Sequence, residues 1–367
     1  MLSANESSQP AVAGNPPVGS RSAHQETRLP SLDGLRAISV LGVLLGHLAG
    51  THGFPRINGY FRLLAPLGVT TFFVISGFLI TSLLMHEHDA HGRISLKLFY
   101  ARRSIRIFPA SYAFIAVVTA LWLGGLIQLE WRDIVHAVTY TVNFEPGRPW
   151  ITGHLWSLSV EEQFYLLWPL TFSLMGSRKA SWAAFAMLFV GILARIVNRI
   201  FLIGTPLHDL EMFPMVADSL ATGCLLARFR GTLEQREWYL RLFSPLASLG
   251  LLLLIAVIAI YSRYTIVSVF GTTLINLALA VLIHRSVYHA GSPIGRLLNW
   301  KPLAFLGVLS YSLYLWQQPF LNHESSSWVS SFPQNLAFAI VAALCSYFLL
   351  ERPLLSLRHR LRVRSEN

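Results

Sequence analysis

The sequence predicts an all-α fold, a polytopic membrane bundle of about ten transmembrane helices. Three observations carry this expectation. Of the 367 residues, 53% are hydrophobic and only 13% are charged, against about 25% charged in a soluble globular domain. Windows of about 20 mostly apolar residues, the length that crosses a bilayer core, recur from end to end. The basic residues then fall predominantly on one side of the resulting topology. In a soluble chain the formal net charge of +11 would raise nucleic acid as a partner. Here its placement reads as orientation, and no nucleic acid is expected.

Residues 1–30 are rich in Ser, Pro, Ala, Gly and Gln and hold no apolar core of a signal peptide. They are expected to be a disordered cytoplasmic tail. A membrane domain is expected over 31–353, followed by a basic cytoplasmic tail, 354–367. Spans are drawn at 33–52, 66–86, 107–127, 154–175, 181–203, 212–229, 243–262, 265–284, 302–322 and 333–351. The piece 134–144 is too short to span and is placed at the interface. With the N-terminus inside, 22 of the 29 Lys and Arg lie on the inner side. Five lie on the other (Arg56, Arg62, Arg132, Arg148 and Arg263), and Arg195 and Arg199 sit within the fifth span. Both termini are therefore expected in the cytoplasm. No internal repeat is visible, which weighs against a transporter of inverted halves. Cys224 and Cys345 lie in apolar segments without a CxxC; they read as small buried hydrophobes, and no metal is expected.

An ionisable group inside a bilayer is costly and so is a candidate functional residue. In LDGLRAISVLGVLLGHL, Arg36 and His47 are 11 residues apart, about three turns, and share a face. Gly42, Gly46 and Gly50 form a GxxxGxxxG ridge on a neighbouring face, which permits close helix approach. In HLWSLSVEEQFYLLWP, Ser157, Glu161 and Tyr165 make a polar stripe at i, i+4, i+8. Glu162 points about 100° away. Glu161 is expected at a depth similar to that of His47, where a carboxylate could orient an imidazole as a general base. A purely structural buried pair is the alternative. Arg102, Arg103 and Arg106 precede the third span. They read as positive-inside bias, as contacts to anionic lipid, or as a fork for the phosphates of a cytoplasmic donor. In SYSLYLWQQPF, Tyr314 and Trp316 suit the interface belt, while Gln317 and Gln318 suit the lining of an outward cavity. Asp218 has no partner visible in the sequence. Arg195 and Arg199 would snorkel, pair with Glu211 or Asp209, or contact an acceptor. GxSxG, Walker A, HExxH and HxxxxD patterns are absent.

Taken together the motifs resemble the acyltransferase-3 family of bacterial integral membrane O-acyltransferases. The resemblance rests on LDGLRAISVLGVLLGHL (32–48), TTFFVISGFLITSLL (70–84), RRSIRIFPASY (102–112), HLWSLSVEEQFYLLWPL (154–170), LSYSLYLWQQP (309–319) and ERP (351–353), in family order. It implies a ten-span domain of the bacterial inner membrane. That domain moves an acyl group, commonly acetyl from acetyl-CoA, to a hydroxyl of a cell-envelope glycan. It implies an essential role for the Arg-x10-His pair, here Arg36 and His47; the family's RRxxR element falls on Arg102, Arg103 and Arg106, and its WSLxVE element on Trp156, Ser157 and Glu161, which favours Glu161 over Glu162. Gln317 stands where many members have histidine. No appended extracellular hydrolase-like domain is expected after Pro353.

The mechanism expected from residues and resemblance together has catalytic His47, oriented by Glu161. Acetyl-CoA is held by Arg36, Arg102, Arg103 and Arg106. The acceptor is contacted by Trp156, Ser157 and Gln317. Direct attack and an acyl-histidine intermediate both remain open. A flippase or transporter for a glycan or lipid-linked intermediate, and a non-catalytic receptor, are the competing readings.

Overall fold

The structure, a computed structural model, describes residues 29, 31–55 and 59–356. The expected N-terminal tail and most of the C-terminal one lie outside the described residues. Among the described residues every regular element is helical. In chain order these are α1 (Leu32–Leu48), α2 (Leu64–His91), α3 (Leu96–Leu123), α4 (Trp131–Thr139), α5 (Trp150–Gly153), α6 (Leu155–Phe201) and α7 (Phe213–Leu233). There follow α8 (Glu237–Arg241), α9 (Pro245–Ile260), α10 (Thr265–Tyr288), α11 (Pro293–Leu298), α12 (Lys301–Val308), α13 (Ser310–Trp316) and α14 (Gln334–Ser346). Six helical stretches among the described residues are long and apolar enough to cross a membrane. The shorter apolar helix α9 accompanies them. Leu246 and Leu174 on the outer surface are 81% and 77% exposed. Many such side chains together fit a lipid solvent, since water would disfavour so much apolar surface.

The elements differ from the expected spans in three informative ways. The third span starts at Leu96 rather than 107, because Ser95 caps the helix by accepting from the Leu98 N–H. Arg102, Arg103 and Arg106 are thus helical residues with fixed faces. The fourth and fifth spans run together as α6, broken only at Gly176 with φ 71° and ψ 167°, a backbone setting that favours glycine. The ninth span divides into α12 and α13 and ends at Trp316, because Pro319 cannot continue a helix. Gln317 therefore caps the helix instead of lying within it. The 134–144 piece forms α4 plus a single turn at Val142–Phe144. Asn143 joins it to α6 through paired amide hydrogen bonds with Gln163 (2.9 and 3.3 Å).

Close backbone approach organises the centre. Gly42 and Gly46 of α1 face Leu64 and Ala65 of α2 as the ridge predicts, but Gly50 lies beyond the helix with φ +113° against Arg62. Gly77 of α2 and Gly223 of α7 each face the other helix's backbone, with no room for a Cβ. Gly191 of α6 in turn faces the Asp218 side chain of α7, and α6, α7 and α10 form one packed group. Within it the two unassigned charges find each other. Arg195 donates to both carboxylate oxygens of Asp218 (3.0 and 2.8 Å) and to Thr273 Oγ1 (2.7 Å). Asp218 is fully buried. Cys224 is buried as expected; Cys345 is instead exposed on the apolar outer surface of α14.

Removing one member of a buried ion pair leaves the other charge uncompensated. Asp218→Ala is therefore expected to lower stability by about 3–5 kcal/mol, read from thermal unfolding of the detergent-purified protein. The double change Asp218→Leu with Arg195→Met should recover much of that loss. A single variant as stable as the parent would refute the pair's role.

Candidate active site

The imidazole of His47 sits at the C-terminal end of α1 and belongs to a chain of hydrogen bonds whose direction is forced. The Trp150 carbonyl only accepts, so the amide it meets, Gln318 Nε2 at 2.8 Å, is the donor. Gln318 Oε1 is thereby turned to Gln317 and accepts from its Nε2 at 2.8 Å. Gln317 Oε1 in turn faces His47 Nδ1 at 2.9 Å and must accept from it. The proton of the neutral ring is thus on Nδ1. Nε2 carries the lone pair and has no hydrogen-bond partner among the described residues. Trp150 also packs edge-on against the imidazole (centroids 5.3 Å) and donates its indole N–H back to the Gln318 carbonyl (2.9 Å). His323 binds the His47 carbonyl through Nε2 and stacks near Trp150 (4.6 Å).

Glu161 does not take part in this chain. It accepts from Ser76 Oγ at 2.6 Å, and Tyr165 donates to the same Ser76 oxygen (3.2 Å). The charges that act on the Glu161 carboxylate are the guanidinium groups of Arg103, Arg36 and Arg106. Arg103 lies over the Tyr165 ring at 4.0 Å, within the range of a cation–π contact. Its Nε, like that of Arg36, is buried without a hydrogen-bond partner among the described residues. Glu162, one residue on, turns a second carboxylate toward Arg103. Arg102 faces away and bridges to Glu87 at 3.0 Å. The three arginines expected to hold a donor's phosphates therefore do not share one face. Arg103 and Arg106 turn inward to the acid, and Arg102 turns to the helix surface.

A narrow cavity of about 60 Å³ opens beside the Arg36–Glu161 cluster; His47 and Gln317 are not among its lining residues. Arg36, Ser76 and Glu161 line one end, and Ser157, Tyr311 and Tyr314 are among the residues that continue it. Ser157 Oγ and Tyr314 Oη share a 2.5 Å hydrogen bond, and Tyr314 Oη donates to the His154 carbonyl (2.9 Å). Chemically the arrangement offers a basic nitrogen on a rigid mount and, about three turns of α1 away, a cationic cluster beside a cavity lined by hydroxyl groups.

The structure thus corrects one expectation directly: the partner that orients His47 is Gln317, not Glu161. The depth estimate failed because α2 carries Ser76 and α3 carries the arginines to the level of Glu161, whereas the loop after α13 covers His47. Trp156 does not line the cavity; it packs against Phe73 (5.9 Å) at the edge of the main core. Ser157 lines it as expected. Ser76, Trp150, His154 and His323 were missed. A lone serine in VISGFL and a histidine just before WSL carried the only sequence signal for two of them. Trp150 and His323 are in irregular segments where spacing says nothing.

Comparison with known proteins now bears on this geometry. No solved structure matches the chain. A Staphylococcus aureus (strain COL) protein named "Putative O-acetyltransferase" is 32% identical over 354 residues, covering 89% of this chain and 57% of that protein. The peptidoglycan O-acetyltransferase OatA of Listeria monocytogenes is 30% identical over 326 residues, covering 80% of this chain and 49% of that protein. The chain thus spans about half the length of the curated relatives it matches. The acyltransferase-3 model, described as an acyltransferase domain, matches residues 29–351, a stretch that contains every group of the two clusters, and the chain belongs to that family.

Proposed function

We propose that the chain is a multi-pass O-acetyltransferase of the bacterial cytoplasmic membrane. It moves acetyl from cytoplasmic acetyl-CoA to a hydroxyl of a cell-envelope glycan. The observation that carries this is the directed chain from the Trp150 carbonyl to His47. It leaves a lone pair on Nε2, and a cavity lined by Arg36, Ser76 and Glu161 lies toward the other end of α1, about three turns away. The names of relatives such as OatA favour a glycan acceptor.

The topology in this reading has ten helical passes: α1, α2, α3, the two halves of α6, α7, α9, α10, the α12–α13 pair and α14. Both termini lie in the cytoplasm by the distribution of Lys and Arg. The Arg36 end of α1 is then the inner end, and His47 lies toward the outside. The CoA phosphates are held at the inner end, where Arg36, Arg103 and Arg106 gather around Glu161 and Arg102 stands beside them. The pantetheine arm follows the narrow cavity past Ser76 and Tyr314 and presents the thioester below His47. Glu161 serves as the counter-charge that keeps several guanidinium groups together in a low-dielectric interior.

At the outer end, the acceptor oxygen attacks the thioester carbonyl while its proton passes to His47 Nε2. The imidazolium is stabilised by its Nδ1–H bond to Gln317. The tetrahedral intermediate then expels the thiolate, which takes the proton from Nε2. One ester and one free thiol result, and the histidine returns to its starting form. Gln317 never titrates; its role is to fix the tautomer.

Three variants bear on the two clusters. His47→Ala should lower kcat by about 10²–10⁴-fold, the usual value of general-base help, with radiolabelled acetyl-CoA and an envelope glycan as substrates. Turnover near the parent level would exclude the histidine. Gln317→Leu should lower kcat about 10-fold or more, as loss of an orienting partner does, with KM for acetyl-CoA little changed. Glu161→Gln should do the reverse, raising KM for acetyl-CoA about 10-fold, equivalent to about 1.4 kcal/mol of binding. If Gln317→Leu and Glu161→Gln changed the same parameter, the division of roles would fail.

A further inference from the structure

A second cavity lies apart from the first, where the ends of α6, α7 and α10 meet the segment before α5. It has a volume of about 520 Å³ and is lined by Arg148, Arg195, Arg199, His208, Glu211 and Ser268 among others. That is the size of small-ligand sites generally, and its charge is unbalanced. Asp218 holds Arg195 on both oxygens. Glu211 bridges to Arg148. Arg199 donates only its Nε, to Ser268 Oγ at 3.1 Å, and has no carboxylate partner among the described side chains. Its two terminal nitrogens have no hydrogen-bond partner among the described side chains. His208 adds a buried Nδ1 without a hydrogen-bond partner.

A guanidinium with its terminal fork open matches the planar oxygens of a carboxylate, or two oxygens of a phosphate. The Glu211 side chain is 38% exposed, against 16% for Arg148. An incoming oxyanion can therefore displace the glutamate from the more buried arginine. Position supplies the rest. Arg148 is two residues before Trp150, at most about 7 Å along the backbone. Trp150 packs on His47 and anchors its hydrogen-bond chain. One strap thus forms the wall of the cationic cavity and the mount of the basic nitrogen.

We propose that this cavity is an anion subsite for the acceptor. It binds the carboxylate or phosphate of an acidic saccharide through Arg199 and Arg148, and so directs a neighbouring hydroxyl toward His47. This rests on the acetyltransferase reading for its purpose, but not for its test. The alternative source of the same oxyanion, an anionic lipid headgroup, is less favoured because the strap ties the cavity to the imidazole.

The test is a binding measurement without acetyl-CoA, so a failure of acetyl transfer would appear in the His47→Ala turnover and not here. The purified full chain is titrated with a tetrasaccharide of alternating glucuronate and N-acetylglucosamine, and with its carboxyl methyl ester. The acid is expected to bind at least about 10-fold more tightly, a difference of about 1.4 kcal/mol. That preference should vanish in Arg199→Gln and largely survive in Arg199→Lys, which keeps the charge. In nanodiscs, phosphatidylglycerol should not be enriched over phosphatidylcholine around the wild-type chain relative to Arg199→Gln. Equal affinity for acid and ester, or no binding of either, overturns the proposal. So does Arg199-dependent enrichment of phosphatidylglycerol, which would give the cavity to lipid.

Discussion

The site depends on one backbone carbonyl. A carbonyl oxygen cannot donate, and inside a bundle that excludes water it must still be satisfied. From that single fact at Trp150 the orientation of two side-chain amides follows, and from them the tautomer of His47. A serine hydroxyl in place of either glutamine would rotate and leave the direction open. An amide has its donor and acceptor fixed to opposite ends of one rigid group. Two amides in series therefore transmit direction without transmitting a proton, which suits a base that must return to the same state each turnover.

The second constraint is the cost of charge in a low-dielectric interior. Arg36, Arg103 and Arg106 could not gather near the centre of the bundle without an acid, and Glu161 supplies it. The same logic explains Arg195 and Asp218, and Arg102 with Glu87. Glu161, Asp218 and Glu87 are each committed to cations. This leaves His47 without a carboxylate and requires a neutral group to orient it. Gln317 and Glu161 are thus connected by exclusion: because the acid is committed elsewhere, the amide takes the histidine.

Local patterns in the sequence were enough to place Arg36 and His47 on one face and to find the glycine ridge, since both follow from the helical repeat within α1. The composition was enough for an all-helical, lipid-facing chain. The partners of the charged groups were not legible. Asp218 and Arg195 are 23 residues apart on two helices. Their meeting depends on Gly191 of α6, which leaves room for the Asp218 side chain of α7. The pairing of His47 with Glu161 was inferred from counting residues down two helices as if both began at one plane. Residues 317–333 form a cap over the end of α1, and nothing in the spacing of apolar positions encodes such a cap. Irregular segments carry most of what was missed, because there the chain's direction is set by tertiary contacts and not by a repeat.

A glutamine at a position where the family resemblance leads one to expect histidine would be a loss if that position moved protons. In this geometry it is not one. In the proposed mechanism the proton taken from the acceptor is needed again by the departing thiolate, and both events occur at Nε2. A second titratable group on the Nδ1 side would offer the proton a route away from the reacting atoms. An amide closes that route while keeping the hydrogen bond that stabilises the charged ring. The substitution therefore favours a histidine that works as a local base and acid at one nitrogen. The far side of the ring then serves only to hold it in place.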